Sequence, residues 1–420
     1  MKSETGPDLL SKDYLLGRFL DYVQIATRSD PDSPGIPSTP GQWDLLNRLV
    51  EDLKAIGVED VTLTENGYVL ARIPASPGGS GKTRLGFFAH VDTAPDLPSA
   101  ANPIVHRNYD GGVIRLPDDP DQVLDPSAVP CLADKVGEDI ITASGTTLLG
   151  ADDKSGLAVL MAVIEALGRD SVIEHGPLVF CFNPDEEIAR GMKGIEIEDI
   201  GADFGYTLDG ELPGEIDAES FSADEAILEI TGVAAHPGWA KDKMVNALRI
   251  AGRFLKQLPL EMSPERTDGR EGFIHPNQVT GTADRAEVRM IIRDYELDGL
   301  EAKRQIVREL VAQLQQEEPR AELNLVINKQ YRNMRYWLEE DTRPVDYALE
   351  AVRAVGLEPK LKIIRGGTDG SNLTERGLPT PNIFCGFHEV HSQREWVSLQ
   401  DMVKSAETVL QVIQIWAVRG

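Results

Sequence analysis

Leu148-Leu149-Gly150-Ala151-Asp152-Asp153-Lys154-Ser155-Gly156 places two consecutive carboxylates where a loop meets a nearly all-apolar run, Leu157-Ala158-Val159-Leu160-Met161-Ala162-Val163-Ile164. A helix that is hydrophobic on every side is a buried one, so the chain has to fold around this segment. Two acids at its buried N-terminus are costly, and the helix dipole offsets only part of that cost. A divalent cation is the natural remainder. An Asp ahead of a helix also reads as an ordinary N-cap, so the rest of the chain has to decide.

Outward from this helix, three buried-type strands end in polar residues. Arg84–Ala89 runs into His90-Val91-Asp92-Thr93, and the pleat puts His90 and Asp92 on one side, where one can ligate a metal while the other orients the imidazole. Taken alone, such a pair also reads as a surface histidine beside an ordinary acid. Pro177–Phe182 delivers Asn183-Pro184-Asp185-Glu186-Glu187, and Gly201–Leu208 delivers Asp209-Gly210. In α/β sheets, ligand sites lie at the carboxyl ends of strands. Convergence of acids at three such ends is hard to reconcile with solvated surface charge.

The N-terminal part reads as a compact α/β beginning. Helices are expected over 12–26 and about 42–56, with strands at 61–64 and 68–73 around an Asn66-Gly67 turn. Residues 94–147 are rich in Pro, Asp and Asn and unusually long for a connection, which implies a functional excursion or a small subdomain. From about Phe221 the order becomes strand 226–231, helix 244–258, strands 273–281 and 286–293, helix 297–314 and strand 323–327. That β-α-β-β-α-β order is ferredoxin-like. The reading is therefore an α/β fold with an inserted ferredoxin-like α+β domain over 221–332 and a discontinuous α/β domain over 1–220 and 333–420 that carries the converging acids. Within the inserted domain, His236 lies in a strand-to-helix loop, a position more often structural than catalytic; Asn246 lies at the helix start, and Arg293 ends a central strand. Beyond 333, a helix is expected at 345–355, strands at 360–364 and 380–387, and a last helix at 402–416. Arg365-Gly366-Gly367-Thr368-Asp369-Gly370 resembles an anion cradle but lacks the lysine and spacing of a P-loop; Arg365 is instead suited to clamp a carboxylate.

Composition narrows the function classes. At 420 residues the chain exceeds what one core usually supports, so two domains are expected. With 69 Asp+Glu against 42 Lys+Arg, the net charge of -27 opposes nucleic acid and anionic membrane surfaces. The opening Met1–Asp8 has no apolar core of signal-peptide type, and no run approaches the roughly 18 apolar residues of a membrane span; a cytoplasmic protein is expected. Cys131, Cys181 and Cys385 are widely spaced without a CxxC pattern, which points to neither a disulfide framework nor a thiolate zinc site. Cys181 and Cys385 read as small core residues of strands.

HVDT at 90, GADDKSG at 150, PDEE at 184, YTLDG at 206, AHPG at 235, IIRD at 291, RGGTDG at 365 and a histidine after the final core strand together resemble the peptidase T family. These are tripeptide aminopeptidases of the co-catalytic zinc peptidase clan that also includes glutamate carboxypeptidases and aminoacylases. The resemblance runs in order along essentially the whole chain. Ala94 after HVDT, Glu211 after YTLDG and the Phe387-His388-Glu389-Val390 lead-in to His391 depart from the pattern, and none of them removes a ligand. The resemblance implies a zinc-peptidase-type mixed sheet with a lid and a two-zinc site, with manganese or cobalt as substitutes. Asp152 would bridge, with His90 and Asp209 on one metal and Glu187 and His391 on the other. Asp92 would orient His90, and Glu186 would be the general base. His388 competes with His391, which stands at the family's distance before Trp396-Val397. His236 resembles the family histidine that reaches the transition-state oxyanion across a lid dimer. Arg365, Arg293 and Asn246 are candidates for holding substrate ends. The expected partners are small peptides and a second copy of the chain, joined through the lid. A dipeptidase or an N-acyl-amino-acid amidohydrolase shares the same metal core, and a non-catalytic peptide-binding protein is disfavoured by the intact Glu186.

Overall fold

The structure, a computed structural model, describes residues 10–169 and 173–420; the opening stretch Met1–Asp8 lies outside them. The chain divides into two compact units. The first comprises the described residues up to Ala218 with Tyr336–Lys362 and Thr368–Gly420; the second comprises Glu219–Arg335 and Ile363–Gly367. Composition gives no sign of that last short return, because Ile363–Gly367 continues a strand begun in the first unit.

The first unit is built on an eight-stranded mixed sheet in the order Asp60–Leu63, Val69–Ile73, Leu178–Asn183, Leu85–His90, Phe204–Gly210, Asn382–Phe384, Glu215–Ser220, Lys360–Ile364. Its centre is parallel: Leu85–His90 pairs in parallel with both Leu178–Asn183 and Phe204–Gly210. All six residues of Leu85–His90 are buried. The pleat explains this, because Phe87 joins the core cluster on one face while Phe88 joins the cluster on the other.

On the first of those faces lies the helix Ala151–Arg169, buried at every position from Asp153 to Leu167. Fully burying each Leu, Val, Ile or Met of its Leu157–Ile164 run contributes ~1.5–3 kcal/mol. A side chain at Gly156 would run into the Asp153 carboxylate and the Leu208 carbonyl, so glycine is what lets the helix start close against the Asp209 strand. Helices Lys12–Val23, Pro40–Ala55, Arg343–Ala354 and Leu399–Arg419 complete this cover through Phe19, Leu49, Val352 and Trp416. Cys181 is buried within its strand, and buried Cys385 follows the strand Asn382–Phe384.

Residues 94–147 form a small subdomain. Strands Ile104–His106 and Ile140–Thr142 join Trp396–Ser398 and Phe387–His388 in a four-stranded sheet, and Tyr109, Leu116, Leu124, Leu132 and Trp396 share one apolar cluster. The single strand expected over 380–387 is two short strands in different sheets. Gly386 separates them at φ 86, a conformation open to glycine.

The second unit has four antiparallel strands in the order Phe273–Gly281, Arg285–Asp294, Ser222–Thr231, Glu322–Tyr331, the ferredoxin-like arrangement. Burial alternates strictly along Arg285–Asp294. Helices Ala247–Gln257 and Leu297–Glu317 share a core with the buried face, through Phe254, Leu300, Val307, Val288 and Ile292. Among the described residues, no helix is long and apolar enough to cross a membrane.

Candidate metal centre

Three neighbouring parallel strands bring the polar ends together. His90 is the last residue of its strand and lies in register with Asn183, so the Asn183–Glu187 turn stands beside it; Asp209 closes the strand on the other side. The turn is tightly made. Asp185 adopts a left-handed conformation at φ 57, and its buried carboxylate accepts the Ser38 N–H and the Gln42 Nε2–H, each at 2.7 Å. The following residues Glu186 and Glu187 are thereby presented side by side.

Asp92, wholly buried, ties histidine and turn together. Its Oδ1 accepts the Glu186 N–H at 3.0 Å and its Oδ2 the Glu187 N–H at 3.2 Å, while His90 Nδ1 lies 3.3 Å from Oδ1. Asp152 precedes the regular part of the central helix, with a non-helical backbone and a cis bond to Asp153. Its two oxygens face different imidazoles: Oδ1 lies 3.1 Å from His90 Nε2, and Oδ2 lies 3.5 Å from His391 Nε2. Asp209 Oδ1 is 3.8 Å from His90 Nε2, and Glu187 Oε2 is 3.1 Å from His391 Nε2.

The structure therefore brings His90, Asp92, Asp152, Glu186, Glu187, Asp209 and His391 into one cluster in the first unit. His388 is elsewhere, buried and stacked on the Trp396 indole at 3.8 Å. The four residues considered for substrate belong to the second unit. His236 is exposed, with Nδ1 accepting the Gly238 N–H at 3.1 Å. Asn246 caps the helix Ala247–Gln257 by accepting the Arg249 N–H. Arg293 donates to Gln330 at 2.8 Å and lies over the Tyr331 ring. Arg365 donates to the carbonyls of Thr267, Gly269 and Glu271 and lies over the Phe221 and Phe273 rings. These bonds pin the returning segment to its own unit.

The electrostatics show what the cluster favours. Burial pushes the Glu187 carboxyl up to about 7 and the Asp209 carboxyl up to about 6, with the Asp152 charge adding to both. Burial also raises Glu186, helped by Asp209 and Asp369. Burial opposes charge on Asp152 as well, but the imidazoles of His391 and His90 outweigh it and hold that carboxyl well below the usual range. His391 is raised in turn to about 11 by Asp152 and Glu187. Protonated imidazoles thus supply positive charge that a cation supplies better. Among the described residues, Glu187 Oε1 is buried without a hydrogen-bond partner. The groups His90–Asp152–Glu187 and His90–Asp153–Asp209 each offer three ligand atoms within 4.8 Å of one another, and nitrogen with carboxylate oxygen suits a divalent transition metal. The residues fit such an ion.

Sequence reasoning passed over Asp153, Asp185 and Glu395. Asp153 accepts the N–H groups of His90 and Gly156, so its two oxygens fasten the helix start to the histidine strand. The doubled acid was its signal. Glu395 had none.

A histidine and acids at the carboxyl ends of parallel strands, joined by Asp152 from the helix start and His391 from a loop, in an α/β chain of two units, point to the class of metal-dependent peptidases. The chain belongs to peptidase family M20/M25/M40, whose family model matches residues 138–415. Peptidase T of Geobacillus thermodenitrificans (strain NG80-2) is 45% identical over 406 residues, covering 96% of this chain and 98% of that protein. The crystal structure of an aminopeptidase from Bacillus cereus ATCC 10987 matches at a TM-score of 0.74 and 23% identity, over 97% of this chain and 100% of that one. A dinuclear metal-binding peptidase of the M20 family from Bacillus subtilis matches at 0.66 and 14%, over 96% and 98%. These last two likenesses speak to the fold.

Proposed function

We propose that the protein is a metal-dependent aminopeptidase that releases the N-terminal residue of tripeptides. The observation that carries this reading is Asp152, whose two oxygens face two histidines that each have a further carboxylate beside them. Such an arrangement would let one carboxylate serve two ions. Its whole-length likeness to peptidase T supplies the substrate class.

In this reading, His90, Asp152 and Asp209 would hold one zinc ion and Asp152, Glu187 and His391 the other, with manganese or cobalt as substitutes. When bound, such ions would supply Lewis acidity for the scissile carbonyl and lower the pKa of water. Glu186 takes the proton of the attacking water and passes it to the leaving amine. Asp92 keeps Glu186 and Glu187 facing their separate tasks by holding both of their N–H groups. The first unit is the catalytic domain and the second the lid. Because Nδ1 of His236 accepts a hydrogen bond, a neutral ring carries its proton on Nε2, the donor that its role toward the oxyanion of a partner copy across a lid dimer requires. Homodimerisation through the lid is supported by the ten-residue strand Glu322–Tyr331, which is an edge of its sheet.

Glu186→Gln tests the mechanism. The variant is expected to keep the metal content of the parent and to lose about 10²–10⁴-fold in turnover, the range of a positioned general base. Turnover within a few-fold of the parent at equal metal content would remove Glu186 from this role.

A further inference from the structure

Glu395 stands apart from every group in the proposed mechanism. It is 1% exposed. Its Oε2 accepts the Gly150 N–H at 2.7 Å and its Oε1 accepts the Asp152 N–H at 3.0 Å, across more than 240 residues of sequence. Among the described residues it makes no ion pair. The nearby buried ammonium of Lys154 donates instead to the Ile25 carbonyl at 2.8 Å. Adding a buried carboxylate to a cluster already dense in acids is unfavourable unless its lone pairs are used well. Here they are used on two charge-assisted bonds to the backbone that carries Asp152.

The support of Glu395 is rigid. Trp396–Ser398, which follows it at once, pairs antiparallel with Ile140–Thr142, and Trp396 is fully buried. Four residues before it, the same loop presents His391, whose Nε2 faces Asp152 Oδ2. One loop thus grips Asp152 at two points, by its main-chain N–H and by its carboxylate. Gly150, at φ 76, lets the backbone turn so that both N–H groups point to one carboxylate.

We infer that Glu395 is a positioning residue for the metal centre, fixing the Gly150–Asp152 backbone so that the two oxygens of Asp152 stay divided between two ions. This inference rests on the dinuclear reading above. A glutamine in its place keeps one accepting oxygen but turns an amide N–H₂ toward the other backbone donor, so one of the two bonds is lost and Asp152 is freed to rotate.

The test is titration of metal-free protein with cobalt(II), followed by visible absorption and chelator competition, with far-UV circular dichroism to confirm the fold. Glu395→Gln is expected to weaken cobalt binding by about 10–100-fold, the usual effect of removing a residue that orients a ligand, and to change the shape of the ligand-field bands. Glu395→Asp keeps the charge, cannot reach both donors, and is expected to fall between the two; it serves if Glu395→Gln does not fold. Parental affinity and spectrum in either folded variant would overturn the inference and leave the metal site standing. A parent chain that binds no cobalt would overturn the dinuclear reading itself.

Discussion

Asp92 is fully buried, and its two carboxylate oxygens accept the N–H groups of Glu186 and Glu187, while His90 Nδ1 pairs with the Asp92 main-chain carbonyl at 3.1 Å and lies 3.3 Å from Oδ1. Asparagine at this position retains one accepting oxygen and opposes a backbone N–H with its own amide. Asp92→Asn is therefore expected to lose about 10–100-fold in metal affinity, measured by chelator competition; an unchanged dissociation constant would mean that the turn and His90 hold their places without it. Much of this scale was legible in the sequence. His90, Asp92, Glu186, Glu187, Asp209 and His391 lie at or just after the ends of segments whose apolar character marks buried strands, and Asp152 lies just before the apolar central helix, so their convergence follows from topology. Glu395 was not legible, because it acts through main-chain groups that any residue possesses and its partners lie far away in sequence. Arg365 shows the converse. Its place in a glycine-rich turn advertised a ligand clamp, while its donors go to the carbonyls of Thr267, Gly269 and Glu271, which no local pattern encodes.

Among the elements, the Glu215–Ser220 strand carries an electrostatic load that is separable from catalysis. Asp217 is 5% exposed, and burial pushes its carboxyl up to about 7 against the partial relief that Lys362 gives. The folded value lies above the unfolded one of about 3.9, so folding takes up a proton between the two. The stability this group contributes is complete below about pH 4 and is lost as pH rises through about 7. Asp217→Asn mimics the protonated form. In metal-free protein it is expected to raise stability at pH 8, on the order of 1–3 kcal/mol, with the gain shrinking toward pH 5; thermal melts at the two pH values check this, and an equal or reversed gain would contradict it. This strand was absent from the sequence reading because Glu215, Asp217 and Glu219 give it the look of a solvated loop. The strand broken at Gly386 was misjudged for a related reason: an apolar run shows burial but not which of two sheets buries it. By contrast, the long periodic elements, Leu297–Glu317 and the four strands of the second unit, were readable because one face alone is covered and the period is explicit.

At the scale of the whole molecule, a net charge of -27 coexists with a cluster that gathers yet more negative charge into a buried centre. Such a centre is stable only with cations or protons in it, and this links folding, metal content and activity. The loaded centre is expected to remove one residue from the N-terminus of a tripeptide. The most direct measurement is hydrolysis of Ala-Ala-Ala by zinc- or manganese-loaded protein, beside di-alanine, tetra-alanine and the N-acetylated tripeptide, with products identified by mass. Free alanine and Ala-Ala are expected from the unblocked tripeptide alone, and none after the metal is stripped with a chelator. Preferred cleavage of the acetylated tripeptide or the dipeptide, or full activity in the stripped protein, would contradict it.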